Sequence, residues 1–448
     1  MVGFGSEFDP ADDNSYYCPR RRRNMTLDPV HVDDIASMAS SIADSVDDTD
    51  YDDLARTVWE SWLDPLSSPD GGRPIIEPIG EKRLHAANVD DIALTETPFP
   101  TVHGLDSGTI NPTTFKNGLV LDVAHAAMAA EPSDLDLHRA RSIVMTAHTH
   151  DPVPIFDTNE WLKSDRGYTR KRILRAPRVN RYAEGVVHAL SLYLAESAHA
   201  LEYAEAVSDL LILDGPVYPK ELLNWRDRDA ELNDLARDAK PKAIVENYVR
   251  IVERFVERDV PVAGFVKNPG AKHIVRTVKK HLNESGDGNA PWVDDTSFFV
   301  SLLERRDGPD SEDRRTDELT FTNWFISRGG SDRQMSADGD AFGVERNLDP
   351  ESYTLTFFVL YDPRTDVCYR VEAPYAFTKD ADRRENLMHH IVRDVAATRG
   401  PPQAVEKADE LARVSVGEKA ALRRKLSEKL GSDAVKSYDN IRWVDADE

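Results

Sequence analysis

Hydrophobic residues along this chain fall into short continuous runs and into helical stripes, and their spacing predicts most of the secondary structure. Continuous runs bounded by turn residues are typical of buried strands, whereas apolar residues that recur every three or four positions are typical of helices. Strands are predicted near 101–106, 118–128, 140–147, 209–214, 260–266, 353–361 and 367–373. Helices are predicted near 179–203, 221–237, 241–257, 271–283, 381–397, 402–413 and 417–430.

The order of these elements predicts the fold class. Three strands in an antiparallel meander are followed by helix, strand, helix and strand, with a late helix, which is the order of a ribonuclease H-like fold and also suits other α/β architectures. We therefore predict an α/β protein with a ribonuclease H-like mixed sheet flanked by helices. An N-terminal helical region and C-terminal helices are expected to surround it.

Domain boundaries follow from changes in this pattern. Residues 1–24 show no apolar periodicity and are predicted to be a disordered extension, with Met25 as a candidate for the true start. The predicted divisions after this extension are a helical region at 25–95, a main domain at 96–413 that contains an elaborated loop region at 284–350, and a C-terminal helix and tail at 414–448.

Two of the predicted strands end in an aspartate that is followed by turn residues. Asp214 closes the apolar run from Leu210 to Leu213, and Asp106 closes a similar segment that begins at Val102. If the two strands are adjacent and parallel, both carboxylates lie at one edge of the sheet, where their repulsion favours a bound divalent cation. The alternative is that each aspartate only caps a turn.

Two helices can supply further metal ligands. In helix 179–203, Glu184 lies at the edge of the apolar stripe and near the helix start, which we expect to be level with Asp214. Glu196 lies nearly opposite the stripe and remains a possible ligand. In helix 402–413, Asp409 lies beside the apolar face and is predicted to be a fourth ligand. The alternatives are an exposed helix glutamate and an aspartate paired with a nearby arginine.

The charge of the chain is strongly negative. It has 80 acidic and 56 basic residues, a net charge of −24, and the bases comprise 39 arginines and only 17 lysines. This composition resembles that of proteins from salt-loving archaea. A negative charge ordinarily disfavours nucleic acid, but at about 1 M salt the Debye length is only about 3 Å, so local basic clusters matter more than the total.

One such cluster extends from Lys163 to Arg181 and carries a net charge of +7. It can contact nucleic-acid phosphates or pair with carboxylates of the fold itself. The residues predicted to bind nucleic acid are Arg170, Lys171, Arg172, Arg175 and Arg178. Lys267, which follows strand 260–266, is a further candidate for a phosphate contact.

Several classes of protein are excluded by what the sequence lacks. No apolar stretch approaches 18 residues and no secretory signal is recognisable, so a cytoplasmic protein without a membrane span is expected. The two cysteines, Cys18 and Cys368, are too few for a disulfide scaffold. No P-loop motif occurs, so any ATP-driven motor must be a separate partner.

Five short motifs together resemble the NurA nuclease family, in its haloarchaeal form, from about Met25 to near Trp443. The motifs are Leu105-Asp106-Ser107-Gly108-Thr109, Leu213-Asp214-Gly215-Pro216, Gly264-Phe265-Val266-Lys267, Tyr369-Arg370-Val371-Glu372-Ala373-Pro374 and Gly400-Pro401-Pro402. The resemblance implies a ribonuclease H-like, manganese-dependent nuclease that forms a ring-like homodimer. It also implies a role with a HerA-type hexameric ATPase in resecting DNA ends at double-strand breaks, with 5′-3′ exonuclease and single-strand endonuclease activity.

The metal-binding acids of the family correspond to Asp106, Asp214 and Glu184 in this sequence. Two departures are visible. Asp-Ser-Gly stands where the family usually has Asp-Gly-Ser, and Asp409 stands where many members have histidine. Either residue type can bind a metal, although an aspartate adds negative charge.

The predicted function is hydrolysis of DNA phosphodiester bonds, with one or two Mn²⁺ or Mg²⁺ ions held by Asp106, Glu184, Asp214 and Asp409. The alternative is a scaffold of the same fold that binds DNA and an ATPase without cutting. A small-molecule phosphatase would need a second aspartate two residues after its nucleophile, and Gly108 and Pro216 occupy those positions.

Overall fold

The computed structural model describes residues 27–43, 51–151, 157–158, 160–164, 167–286, 290–308 and 313–436. The chain divides into two compact units, Met1–Asp50 and Tyr51–Glu448. In the first unit, helix α1 spans Pro29–Ala43, and its first residue is a proline, whose fixed φ suits the first turn of a helix. The predictions for residues 1–24 and for Met25 concern residues outside the described ranges.

The second unit contains the remaining helices and all strands among the described residues. Its helices are α2 (Tyr51–Trp62), α3 (Val89–Ala93), α4 (Leu135–Arg139), α5 (Ala183–Glu202), α6 (Lys220–Arg228), α7 (Ala230–Ala236), α8 (Ala239–Glu257), α9 (His273–Ser285), α10 (Asp295–Leu303), α11 (Tyr375–Thr378), α12 (Ala381–Thr398), α13 (Gln403–Ala412) and α14 (Val416–Leu430).

The strands of this unit form one mixed sheet. They are β1 (Ile76–Pro78), β2 (Leu84–Asn88), β3 (Val102–Thr109), β4 (Thr113–Thr114), β5 (Val120–Glu131), β6 (Arg141–His148), β7 (Leu162–Lys163), β8 (Thr169–Arg175), β9 (Leu210–Asp214), β10 (Val262–Val266), β11 (Glu318–Thr322), β12 (Phe325–Ser327), β13 (Leu355–Asp362) and β14 (Val367–Pro374).

The centre of the sheet has the strand order β6-β5-β3-β9-β10-β14. Strands β3, β9 and β10 run parallel to one another, whereas β5 is antiparallel to both β3 and β6, and β14 is antiparallel to β10. A mixed sheet flanked by helices confirms the predicted α/β class.

Helices cover both faces of this central sheet. Helix α5 packs against β5 and β6 with α8 behind it, and α13 packs on the other face against β3 and β5. Leu210 to Leu213 of β9 are all buried, because side chains on both faces of this strand meet covering helices. This explains why β9 is a continuous apolar run rather than an alternating one.

Two predicted regions differ from the structure. The predicted helical region 25–95 contains strands as well, because β1 and β2 lie between α2 and the short helix α3. The region 284–350 is not loop throughout, because α10, β11 and β12 lie within it and both strands pair with β13. These strands are only five and three residues long, so their periodicity is too brief to be recognised.

The predicted helix 221–237 is two helices. Asp229 adopts an extended conformation with φ −158°, which ends α6, and its side chain accepts a hydrogen bond from the backbone N–H of Glu231 at the start of α7. Across the described residues, the helices are all too short or too polar to pass through a lipid bilayer.

Candidate metal centre

Asp106 and Asp214 lie side by side because β3 and β9 are parallel neighbours. The register pairs Leu105 with Leu213, so the next residue of each strand stands at the same level. Paired residues of neighbouring strands project from the same face of a sheet. The two carboxylates therefore share one face, as expected from adjacent parallel strands.

Two glycines of β3 allow α13 to lie directly on this face. A Cβ atom on Gly104 would lie 1.9 Å from the carbonyl oxygen of Ala404, and one on Gly108 would lie 1.9 Å from that of Ala412. A side chain at either position would therefore push the helix away from the strand. The close approach brings Asp409, which lies on the helix between the two contact points, to the pair of strand carboxylates.

Asp106, Asp214 and Asp409 form the candidate metal centre. Each offers one carboxylate oxygen, and these three atoms lie within 4.8 Å of one another. Burial, and then the charge of Asp214, raise the pKa of Asp106 to about 8, and burial also raises the pKa of Asp214. Three oxygen ligands that destabilise one another when charged suit a hard divalent cation such as Mn²⁺ or Mg²⁺.

A comparison with known protein families identifies the family of this chain. The sequence pattern of the NurA domain matches residues 100–414, which is more than two thirds of the chain and includes all three aspartates of the metal centre. The chain belongs to the NurA family. The match confirms the resemblance noted in the sequence.

Solved NurA structures resemble the chain along most of its length. The NurA nuclease from Sulfolobus solfataricus is 12% identical with a TM-score of 0.48, and the match covers 90% of this chain and 98% of that one. A NurA structure bound to dAMP and manganese is 11% identical with a TM-score of 0.43, covering 92% and 99%. A search of curated proteins found no match.

On α5 of this NurA chain, the glutamate that interacts with the aspartates of the metal centre is Glu196, the alternative left open by the sequence. Its carboxylate is buried and accepts hydrogen bonds from the hydroxyl groups of Tyr248 at 2.7 Å and Ser107 at 3.1 Å. Burial raises the pKa of Glu196 to about 7, and the charge of Asp214 contributes to this rise. Glu196 is therefore held close enough to the aspartates to interact with them electrostatically.

Glu184 lies elsewhere. It is exposed, accepts a hydrogen bond from Thr114 at 2.8 Å, and is 12 residues or about 18 Å along α5 from Glu196. The expectation that the helix start is level with Asp214 fails because α5 has 20 residues and spans about 30 Å, whereas the five residues of β9 span only about 16 Å. The middle of the helix, not its start, faces the end of the strand.

The unusual order Asp-Ser-Gly in this NurA chain has a structural reason. Because side chains alternate along β3, Gly108 faces α13, where the helix leaves no room for a Cβ atom. Ser107 faces the opposite side of the sheet, where its hydroxyl group holds Glu196. Exchanging these two residues would place a serine against the backbone of Ala412.

Lys267 also belongs to the surroundings of the metal centre. It follows β10, whose Phe265 pairs with Asp214 of β9, so the chain continues beyond the sheet beside that aspartate. The Lys267 ammonium group lies 2.7 Å from Asp214 Oδ2 and 4.0 Å from Asp409 Oδ1. The predicted phosphate-binding lysine is thus at the site but contacts carboxylates of the protein.

The basic residues in the run predicted to bind nucleic acid differ in exposure, because side chains of β8 alternate between the two faces of the sheet. Arg170 points into the fold, where only 8% of it is exposed, and it forms an ion pair with Glu202 at 2.8 Å. Its guanidinium group also lies 4.4 Å from the centre of the Trp161 ring. Arg170 therefore follows the alternative interpretation, in which the run pairs with the protein itself.

The other residues of the run are more accessible. Lys171 and Arg178 are exposed, and Arg172 and Arg175 are half-buried. Within the ranges that the structure covers, no acidic side chain lies within ion-pair distance of these four. They remain the predicted DNA contacts.

Proposed function

We propose that this NurA-family chain is a metal-dependent DNA nuclease that hydrolyses phosphodiester bonds. The observation that carries the proposal is the convergence of Asp106, Asp214 and Asp409, which come from separate segments of the chain, to within 4.8 Å. Nothing in the packing of the fold requires three carboxylates at one point, and their mutual repulsion opposes it. Membership of a nuclease family supports the same conclusion.

Manganese is the proposed cofactor, with magnesium as the alternative. Carboxylate oxygens suit both ions, and NurA structures of other proteins contain manganese, one of them together with dAMP. A bound divalent cation supplies Lewis-acid activation of water and stabilisation of charge on the phosphoryl group. Asp106, Asp214 and Asp409 are the residues proposed to hold it.

The other residues of the site have supporting roles in this proposal. Tyr248 and Ser107 fix the carboxylate of Glu196 by hydrogen bonds, so that it is oriented before substrate arrives. The glycines at 104 and 108 hold α13, and with it Asp409, at a fixed distance from β3. Lys171, Arg172, Arg175 and Arg178 are proposed to contact DNA phosphates.

On the family resemblance alone, we extend the proposal to the biological setting. It comprises 5′-3′ exonuclease and single-strand endonuclease activity, a homodimer, a HerA-type ATPase as partner, and a role in end resection during double-strand break repair in the cytoplasm.

The central test is cleavage of linear and single-stranded DNA by the purified full-length protein in Mn²⁺, Mg²⁺ or EDTA. Asp214→Asn and Asp409→Asn should each lower the cleavage rate at least roughly 1000-fold. Each substitution weakens the binding of the metal ion, which stabilises the negative charge of the transition state. Glu410→Gln is the matched control, since Glu410 is an exposed neighbour on the same helix. A wild-type protein that binds DNA but does not cut it in either metal would overturn the proposal in favour of a scaffold.

A further inference from the structure

The ammonium group of Lys267 lies close to two of the three carboxylates of the metal centre. It is 2.7 Å from Asp214 Oδ2 and 4.0 Å from Asp409 Oδ1. The Asp214 side chain is only 11% exposed and that of Lys267 is 30% exposed, so solvent screens this ion pair incompletely.

A second cation near the metal centre provides a comparison. Arg413 lies 3.5 Å from Asp409 Oδ2, but its side chain is 72% exposed. An exposed pair of this kind between residues four apart on a helix contributes little. Among the residues that the structure describes, Lys267 is therefore the main counter-charge to the three aspartates.

The backbone explains why an ammonium group reaches this point. Parallel strands β9 and β10 end at the same edge of the sheet, with Asp214 paired to Phe265, and Lys267 is the second residue after Phe265. Its long flexible stem lets the charge move by several ångströms while the backbone stays in place. A lysine here can both approach Asp214 and withdraw from it.

We propose that Lys267 is a built-in counter-ion, which neutralises Asp214 in the metal-free protein and gives up that contact when a divalent cation binds. The inference rests on the proposed function, because it requires that the three aspartates bind a metal. Cation binding is then an exchange in which the ammonium group withdraws. Lys267 competes with the metal for Asp214 while it stabilises the fold in the absence of metal.

This role predicts an effect that an ordinary ion pair would not have. Lys267→Met keeps most of the length of the stem and removes the charge, so Mn²⁺ should bind more tightly, by roughly tenfold, because its competitor is gone. Lys267→Arg keeps the charge and should bind Mn²⁺ within about threefold of the wild type. Arg413→Met, the matched control, should change the affinity less than about twofold.

The measurement is titration of Mn²⁺ into each full-length variant, followed by calorimetry and by the electron paramagnetic resonance signal of free Mn²⁺. Thermal unfolding with and without Mn²⁺ gives a second readout. Metal-free Lys267→Met should unfold at a lower temperature than the wild type, and saturating Mn²⁺ should raise its unfolding temperature by more than it raises that of the wild type.

The outcomes separate this inference from the proposed function. If the wild type binds neither Mn²⁺ nor, in the same calorimetric titration, Mg²⁺, both are overturned. If the wild type binds Mn²⁺ but Lys267→Met binds it no more tightly, only the counter-ion role is overturned and Lys267 is a structural partner of Asp214. Should the methionine variant fail to fold, Lys267→Gln, which keeps a polar end, takes its place under the same criteria.

Discussion

Two clusters of charged side chains in this fold differ in how their charges are balanced. At the metal centre, three carboxylates are met by Lys267 and, at the exposed rim, by Arg413. The second cluster, which we call the internal ion network, consists of Lys220, Asp332, Arg370 and Glu372. Its positive and negative charges are equal in number, whereas carboxylates are in excess at the metal centre.

The internal ion network is closely paired. Lys220 lies 2.9 Å from Asp332 and 2.6 Å from Glu372, and Arg370 lies 3.2 Å from Asp332 and 2.8 Å from Glu372. Burial alone would raise the pKa of Asp332, but Lys220 and Arg370 outweigh it and hold the pKa of Asp332 well below its usual range. Every charge in this network has an opposite partner.

The comparison separates two uses of buried acids. In the internal ion network the charged state of Asp332 is favoured, which is what a structural ion pair requires. At the metal centre burial and like charge favour the protonated state of Asp106, whose pKa is raised to about 8. An acid whose own fold penalises its charge indicates a site completed by something outside the chain.

The largest effect on stability is expected in the internal ion network. Glu372→Ala leaves Lys220 and Arg370 with one acid between them in a buried site, so the free energy of unfolding should fall by about 3–5 kcal/mol. Urea denaturation measures this change, and Mn²⁺ should not restore the loss. As a control, Glu257→Ala removes an exposed partner of Arg254 and should cost less than about 1 kcal/mol. Equal losses in the two variants would remove the distinction drawn here.

A smaller effect on the free energy of unfolding, which should fall as pH rises, is expected from Asp106. In the unfolded chain this carboxyl group ionises near pH 3.8, whereas in the folded metal-free protein it keeps its proton up to about pH 8. Between these values the unfolded state binds fewer protons, so stability should fall as pH rises, by on the order of 2–3 kcal/mol after allowance for partial solvent screening.

The asparagine of Asp106→Asn cannot ionise, so the stability of this variant should not show the fall with rising pH that Asp106 causes in the wild type. The difference between the unfolding free energies of the wild type and Asp106→Asn, measured in EDTA from pH 5 to 8, should therefore shift in favour of the variant. Saturating Mn²⁺ should reverse the trend in the wild type, because the cation favours the charged carboxylate. A difference that does not vary with pH would contradict the raised pKa.

Much of the metal centre follows from the sequence because its first two residues lie on strands that apolar runs predict. Asp214 ends β9 as predicted, whereas β3 continues past Asp106 to Thr109 because it pairs with β5 along its whole length. The apolar runs before Asp106 and Asp214 predict buried strands, and strand pairing then determines where the aspartates lie. Asp409 is also predictable, because one amphipathic helix packs one face on the sheet. For these residues, local pattern and tertiary position agree.

In helix α5, the hydrophobic pattern does not predict every residue that is buried. Its stripe of large apolar residues predicts one buried face, but α5 is covered on two sides, by the sheet and by α8. Ser197, whose hydroxyl group accepts a hydrogen bond from Asn247 of α8, lies on this second buried side and carries little hydrophobic signal. From the sequence alone, Glu196 is therefore expected to face solvent, although in the structure its carboxylate is buried against Tyr248. The short strands of 284–350 escape prediction for a related reason, because pairing with β13 rather than their own pattern makes them strands.

The smallest expected effect distinguishes the two glutamates of α5. Glu196→Gln keeps the size of the side chain but removes its charge beside the metal centre, and loss of such a supporting group should lower the DNA cleavage rate in Mn²⁺ by roughly 10–100-fold. Glu184→Gln is the matched control on the same helix and should change the rate less than about twofold, since its exposed carboxylate bonds only to Thr114 among its described contacts. A larger loss for Glu184→Gln than for Glu196→Gln would mean that the helix start, and not its middle, serves the metal centre. That result would require α5 to slide by about 18 Å relative to β9, which the buried packing of Glu196 against Ser107 and Tyr248 opposes.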